Sequence, residues 1–99
     1  DAGAYGSAAL QRGDTVKAEL ALEQERRAAP DQPEVLLNLA TVYARTDRDA
    51  QAAALYRAVL AQENVSMKLA HGRSMDSHDL ARIGLSSLGA AEMTTASAR

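Results

Sequence analysis

The sequence has no cysteine, no tryptophan and no phenylalanine, and its only aromatic residues are three tyrosines. Without thiols there is no disulfide, no thiolate nucleophile and no Cys-ligated metal, and the chain suits a reducing or an oxidising compartment equally. Proline occurs twice, at Pro30 and Pro33, so most of the chain is free of the residue that interrupts helices. No apolar run reaches the roughly 20 residues that a membrane-spanning helix needs, and no segment reads as an intact signal peptide. An excess of one charge is missing too, since 11 Lys and Arg stand against 13 Asp and Glu for a net charge of −2, with both signs scattered. With neither a basic stripe nor stacking aromatics, nucleic-acid binding has little to rest on. The first residue is Asp1 rather than methionine, as expected of a processed product or of a piece excised from a longer chain, and the compartment stays open.

What is present is mostly alanine. Hydrophobic residues make up 46% of 99 residues, enough for one small domain with one modest core. Alanine favours helix and lets helices approach closely, but each removes little surface from water. An all-α fold with a thin core is the expectation.

Residues 2–12 are small and weakly helical, and Gly13-Asp14 supplies a turn with an N-cap for a helix resuming at Thr15 or Val16. That helix carries Ala18, Ala21, Leu22 and Ala29 on one stripe and ends at Pro30-Asp31-Gln32-Pro33. In the next, Leu36, Leu39, Ala40 and Tyr43 recur at i, i+3, i+4 and i+7. Asp31 and Glu34 resemble a capping box, although Pro33 can shift the cap to Gln32. Thr46-Asp47-Arg48-Asp49 makes a turn in which either acid could cap the following helix, whose stripe is Ala52, Leu55, Tyr56, Val59 and Leu60. From Val65 the apolar period changes to two, through Met67 and Leu69, before His71-Gly72. That pattern allows a short β-hairpin or a plain loop over 65–76. Asp76 or Ser77 then caps a lid helix over 77–88, and the tail 89–99 is small, polar and aperiodic, as a disordered segment would be.

One long-range regularity organises these pieces. Gly13, Ala18, Leu22 and Pro30 recur 34 residues later as Asp47, Ala52, Tyr56 and Asn64, the period of a stacked helix-turn-helix unit. Asn38-Leu39-Ala40, Tyr43, Ala52 and Tyr56 in the second unit, and Gly6, Gly13-Asp14, Ala18 and Pro30 in the first, resemble the tetratricopeptide repeat family over residues 4–64, about two repeats. The first repeat (3–30) departs from the pattern at Tyr5, Ala9 and Glu25, while the second (33–64) holds it better. The resemblance implies a single domain over residues 1–88, a helical hairpin stack of two helix pairs followed by the hairpin or loop and a C-terminal capping helix.

The resemblance also implies a non-enzymatic module whose concave groove, lined by the first helix of each repeat, holds a peptide or partner helix. Carried onto this sequence, the groove positions are Ser7, Leu10 and Gln11 in the first repeat and Leu37, Asn38, Thr41 and Arg45 in the second. In the subfamily that clamps terminal carboxylates, three successive repeats contribute Lys, Asn and Arg. Here Asn38 alone fits, because Gly3 and Ser7 occupy the matching first-repeat positions. A protein or peptide partner of unspecified identity is thus expected, with no cofactor. The alternative is self-assembly. Two repeats fall short of the three or so that usually stand alone, so the end at residues 1–12, with Ala4, Ala8 and Leu10, could pack on a second copy to form a homodimer.

Other constellations are weak. His71, Asp76, His78 and Asp79 are the only cluster of metal-ligand types, and two histidines across a turn do not specify a zinc site. Glu25 lies on an apolar stripe beside Arg26 and Arg27 and is expected to be solvated or ion-paired. The serines fall in no Gly-x-Ser-x-Gly elbow, and no glycine-rich phosphate loop is framed by a strand and a helix. Met67 and Met75 either pin the hairpin onto the repeats or face a partner.

Overall fold

The computed structural model describes the backbone of residues 2–97 and the side chains of residues 6–69 and 71–89. Within these residues the order is α1 (Ala2–Gln11), α2 (Thr15–Ala28), α3 (Pro33–Arg45), α4 (Asp49–Ala61), β1 (Ser66–Lys68), β2 (Ser74–Asp76) and α5 (Ser77–Ser97). Helix α1 packs on α2, α3 on α4, α2 on α3 and α4 on α5, while α1 meets α3 and α3 meets α5 along a second line. Two helical hairpins and a fifth helix therefore stack in sequence, with α1, α3 and α5 adjoining on one side.

The recurring residues occupy equivalent places in the two hairpins. Gly13 (φ 79°) and Asp47 (φ 61°) both adopt the left-handed conformation after the first helix of their unit, which glycine takes without cost and aspartate tolerates. In the first unit Asp14 N donates to Ala9 O at 3.0 Å and Gly13 N to Leu10 O at 3.0 Å, and in the second Arg48 N donates to Tyr43 O at 2.8 Å. These bonds satisfy carbonyls that a helix C-terminus leaves open, and they reverse the chain. Ala18 and Ala52, each 0% exposed, are small where helices press together. Leu22 and Tyr56 fill the core at matching positions, joined by Leu36, Leu39, Val42, Leu55 and Val59.

Asp14 caps α2 as expected, accepting from Lys17 N at 3.0 Å. Elsewhere the caps differ. Pro33 takes the first position of α3 and leaves Gln32 as an N-cap without a side-chain bond, so Asp31 does not complete a capping box. Neither Asp47 nor Asp49 caps α4, whose N-cap is Arg48. Asp47 is committed to the left-handed turn, and Asp49 lies in the first helical turn, where its charge complements the helix dipole.

Residues 65–76 form the hairpin rather than the loop. Strands β1 and β2 pair antiparallel with Met67 opposite Met75, and the turn is made by His71 (φ 63°) and Gly72 (φ 73°). A two-stranded hairpin is marginal by itself in water, and this one is tied to the helices by polar contacts around Ser77, which is 0% exposed. Ser77 N donates to Val65 O at 2.8 Å, Val65 N donates to Ser77 Oγ at 3.0 Å and Ser77 Oγ donates to Asn64 Oδ1 at 3.4 Å. The same Asn64 oxygen accepts from His78 N at 3.0 Å, so α5 draws its end cap from a residue beyond the hairpin rather than from Asp76.

Helix α5 does not stop at Leu88. Its backbone continues through Gly89 to Ser97, because one glycine costs a helix only about 1 kcal/mol and no proline follows. The tail expected to be disordered is therefore helical to Ser97, and residues 98 and 99 lie outside the described residues. Leu36, Leu39 and Ala40 of α3 recur as Leu80, Ile83 and Gly84 of α5, 44 residues on. Helix α5 thus stands where the first helix of a third unit belongs, displaced by the hairpin insertion. A Cβ on Gly84 would fall 2.2 Å from Tyr56 Cζ, so the glycine lets α5 lie directly on that ring.

Candidate peptide-binding groove

The side shared by α1, α3 and α5 holds a groove of about 390 Å³. Its floor comes from α1 (Ser7, Gln11) and α3 (Leu37, Asn38, Thr41), with Glu34 at the N-terminal end of α3. The far wall comes from the hairpin (Met67, Lys68, Leu69) and α5 (Leu80, Ile83, Gly84), and Tyr56 closes the bottom. Ile83 is 57% exposed, whereas Leu39, its counterpart in α3, is 0% exposed. The difference arises because Leu39 is covered inside a helix pair, whereas α5 leaves Ile83 to face the groove.

Five of the seven expected groove residues line this one space, namely Ser7, Gln11, Leu37, Asn38 and Thr41. The other two do not. Leu10 and Leu37 are equally buried, each 9% exposed and part of the core, but Leu37 borders the groove while Leu10, in the last turn of α1, does not. Arg45 is exposed and its Nη1 donates to Leu10 O at 3.4 Å, tying the end of α3 to the end of α1. Of the self-assembly residues, Ala8 lines a separate hollow at the α1 and α2 edge, and Ala4 lies outside the described side chains.

The wall of hairpin and α5 residues is what sequence reasoning missed. Its available signals were the period of two through Met67 and Leu69 and the recurrence of the α3 pattern in Leu80, Ile83 and Gly84. Met67 packs partly against the core and also lines the groove, so pinning the hairpin and offering a soft apolar surface are one role. Met75 is half-buried opposite it.

The groove is chemically mixed and nearly neutral. Leu37, Met67, Leu69 and Ile83 give apolar contact, Asn38 and Gln11 bring both donors and acceptors, and Lys68 and Glu34 are the charges at the rim. Thr41 Oγ1 donates back to Leu37 O at 3.1 Å, which leaves its lone pairs to accept. Such a lining suits main-chain amides and short side chains better than a highly charged ligand.

The strongest electrostatics lie away from the groove, where α2 meets the turn between α3 and α4. Tyr43 hydroxyl donates to the Glu23 carboxylate, and the Arg48 guanidinium sits 4.6 Å from the centre of the Tyr43 ring. Arg48 also pairs with both oxygens of Glu19, one contact being 3.0 Å. Burial, and after it the bond to Glu23, push the Tyr43 phenol up to about 12. The Arg48 hydrogen bond holds the Glu19 carboxyl below its ordinary range. These groups fasten the first unit to the second.

The histidine cluster is likewise spent on structure. His78 Nε2 donates to Gln62 O at 2.7 Å, Asp76 accepts from Asn64 Nδ2 at 3.3 Å, and Asp79 pairs with Arg82 at 3.3 Å. Among the described residues no three metal-ligating groups converge. Glu25 departs from its expected solvated state: it is 7% exposed, at the place that Val59 fills in the second unit. Its Oε1 accepts from Gly6 N at 3.4 Å.

Paired helices stacked with a fixed period, a small residue at each close approach and a concave side left open define a helical-repeat protein of the α-solenoid class. The tetratricopeptide repeat family model matches residues 9–72, well over half the chain. The chain belongs to the tetratricopeptide repeat family, whose repeats generally mediate protein–protein interaction and typically carry no catalytic activity. No curated protein and no solved structure matches it. Among the described residues no helix is long and apolar enough to cross a membrane.

Proposed function

We propose that the chain is a non-enzymatic binding module that holds a peptide segment in the groove between α1, α3 and the wall made by the hairpin and α5. The observation that carries this reading is the convergence of Ser7, Gln11, Leu37, Asn38 and Thr41 with Met67, Leu69 and Ile83 on one space. An extended segment lying across α3 would meet the Asn38 carboxamide at mid-groove and set side chains against Leu37 and Ile83. Its action is equilibrium binding, without covalent chemistry. The hairpin shortens the groove on one side, favouring an extended segment over a long helix.

A random-peptide phage library panned on the immobilised chain tests the reading. Enriched peptides are expected to bind wild type in fluorescence polarisation and to lose about tenfold or more in affinity to Asn38→Ala or Ile83→Glu, as central contacts do. Absence of enrichment, or enriched peptides that bind both variants as tightly as wild type, would sink it.

A further inference from the structure

The hairpin leaves one edge open toward the groove, and its pairing says which backbone groups stand there. Ser77 N donates to Val65 O at 2.8 Å and Leu69 N donates to Arg73 O at 2.7 Å, with Met67 opposite Met75 between them. Bonded and unbonded residues alternate along an antiparallel ladder. Val65, Met67 and Leu69 therefore turn their main-chain groups toward β2, while Ser66 and Lys68 turn theirs away. Among the described residues the N–H and C=O of Ser66 and Lys68 have no backbone partner outside the ladder. A hollow of about 440 Å³ lies beside them, between β1 and the start of α3 at Gln32, Pro33 and Glu34. It shares Glu34, Met67 and Lys68 with the groove, and no residue of β2 lines either space. Groove and hollow thus adjoin along the outer edge of β1.

We propose that the bound peptide adds to this sheet as a third strand, its main chain pairing with Ser66 and Lys68 along the outer edge of β1. The proposal rests on the groove reading and supplies its recognition mode. The occupant follows from the chemistry of the edge: Ser66 and Lys68 each offer one donor and one acceptor, two residues apart, and another extended main chain presents the complement at that spacing. An added strand lies about 4.8 Å from its neighbour, which sets it in the hollow between β1 and the start of α3. Side chains then set the sequence preference. Met67 is half-buried between exposed Ser66 and Lys68, and a paired strand carries the same alternation. The peptide residue beside Met67 packs against that thioether, and the residues on either side of it face outward with Ser66 and Lys68. An apolar residue flanked by polar ones is the segment this edge selects.

The strongest peptide from the panned library, synthesised with a single N-methyl group at each position in turn, tests the pairing by fluorescence polarisation on the full chain. Methylation at two residues, two apart, is expected to lower affinity about tenfold each, as loss of a hydrogen bond does. The amide between them should tolerate it, because its N–H points away from β1 in either chain direction. Amide-resolved hydrogen exchange gives a second reading on the unmodified protein: bound peptide should slow Ser66 and Lys68, with Met67, already paired to β2, changing little. Lys68→Pro removes one outward N–H and leaves the ladder to β2 intact, so it should weaken binding, whereas Lys68→Ala keeps that N–H and should cost far less. A peptide that binds but shows no alternation on methylation, or leaves exchange at Ser66 and Lys68 unchanged, would overturn strand addition while the groove reading stands. Absence of any enriched peptide would overturn both. A chain that sediments at twice the monomer mass, and returns to monomer in Lys68→Pro, would also overturn it, since a second copy then fills the edge.

Discussion

Replacing Gly84 with alanine puts a methyl group into a space already held by an aromatic ring, and the expected cost can be worked from the geometry. The new Cβ would lie 2.2 Å from Tyr56 Cζ and 2.5 and 2.6 Å from its two Cε atoms. Ordinary carbon–carbon contact begins near 3.5 Å, so the ring or the helix must move by about 1.3 Å. Tyr56 is 7% exposed and belongs to the core cluster, which limits how far the ring can swing. Overpacking of this kind costs about 1–3 kcal/mol, while alanine regains up to about 1 kcal/mol of helix propensity over glycine. An overlap this close places the cost of overpacking at the upper end of its range, for a net loss of about 2 kcal/mol, which for a chain this small lowers the melting midpoint by about 4–8 °C per kcal/mol. Thermal unfolding followed by circular dichroism reads the midpoint, and amide exchange along α5 reports whether that helix loosens first. Gly89→Ala is the internal control, since its Cβ would meet nothing within 4 Å and should be neutral or stabilising. In a Tyr56→Leu background the Gly84→Ala penalty should shrink, because the obstructing ring is gone. Gly84→Ala as stable as wild type would refute the close approach of α5 to α4.

Two further predictions concern polar groups. Ser77→Ala removes the hydroxyl that Val65 N donates to and that bonds Asn64, so urea unfolding should show a loss of about 1–3 kcal/mol from stranded buried groups, with exchange fastest at Val65, and unchanged stability would refute the anchoring role. Tyr43, pushed up to about 12 from 10.0, contributes stability that is fully present below its unfolded value and is lost as pH rises from 10 toward 12. An absorbance titration should show a late tyrosine step that is lost in Tyr43→Phe, and a titration unchanged by that substitution would count against the buried bond to Glu23.

How much of this was legible in the residues varies with the range of the interaction. Gly13 and Asp47 sit in equivalent left-handed turns, and the period that pairs them is a local property of each helix end. Asp14 could be read as a cap for the same reason. Arg48 was missed as the N-cap of α4, because which residue of Thr46-Asp47-Arg48-Asp49 starts the helix depends on where the left-handed turn falls. The period of two from Val65 to Leu69 allowed a hairpin or a loop, and the choice rests on Ser77 and Asn64 meeting across the chain.

The groove shows the same division. All seven groove positions came from the family resemblance; Ser7, Gln11, Leu37, Asn38 and Thr41 line one space, whereas Leu10 and Arg45 are taken up by packing at the ends of α1 and α3. The apolar stripe around Glu25 and the recurrence of the α3 pattern through Ile83 were visible in the sequence, but that Glu25 is buried and Ile83 exposed depends on which neighbour is present.

By itself the sequence determined the helical class, the 34-residue period, the turns and the family, because these depend on contacts within one helix or one turn. Tertiary structure alone decided that α5 takes the place of a third unit's first helix, that the hairpin walls the groove, and that Glu25 is buried. Each of those depends on residues distant in sequence arriving at the same place, where burial and hydrogen bonding are properties of the assembled surface.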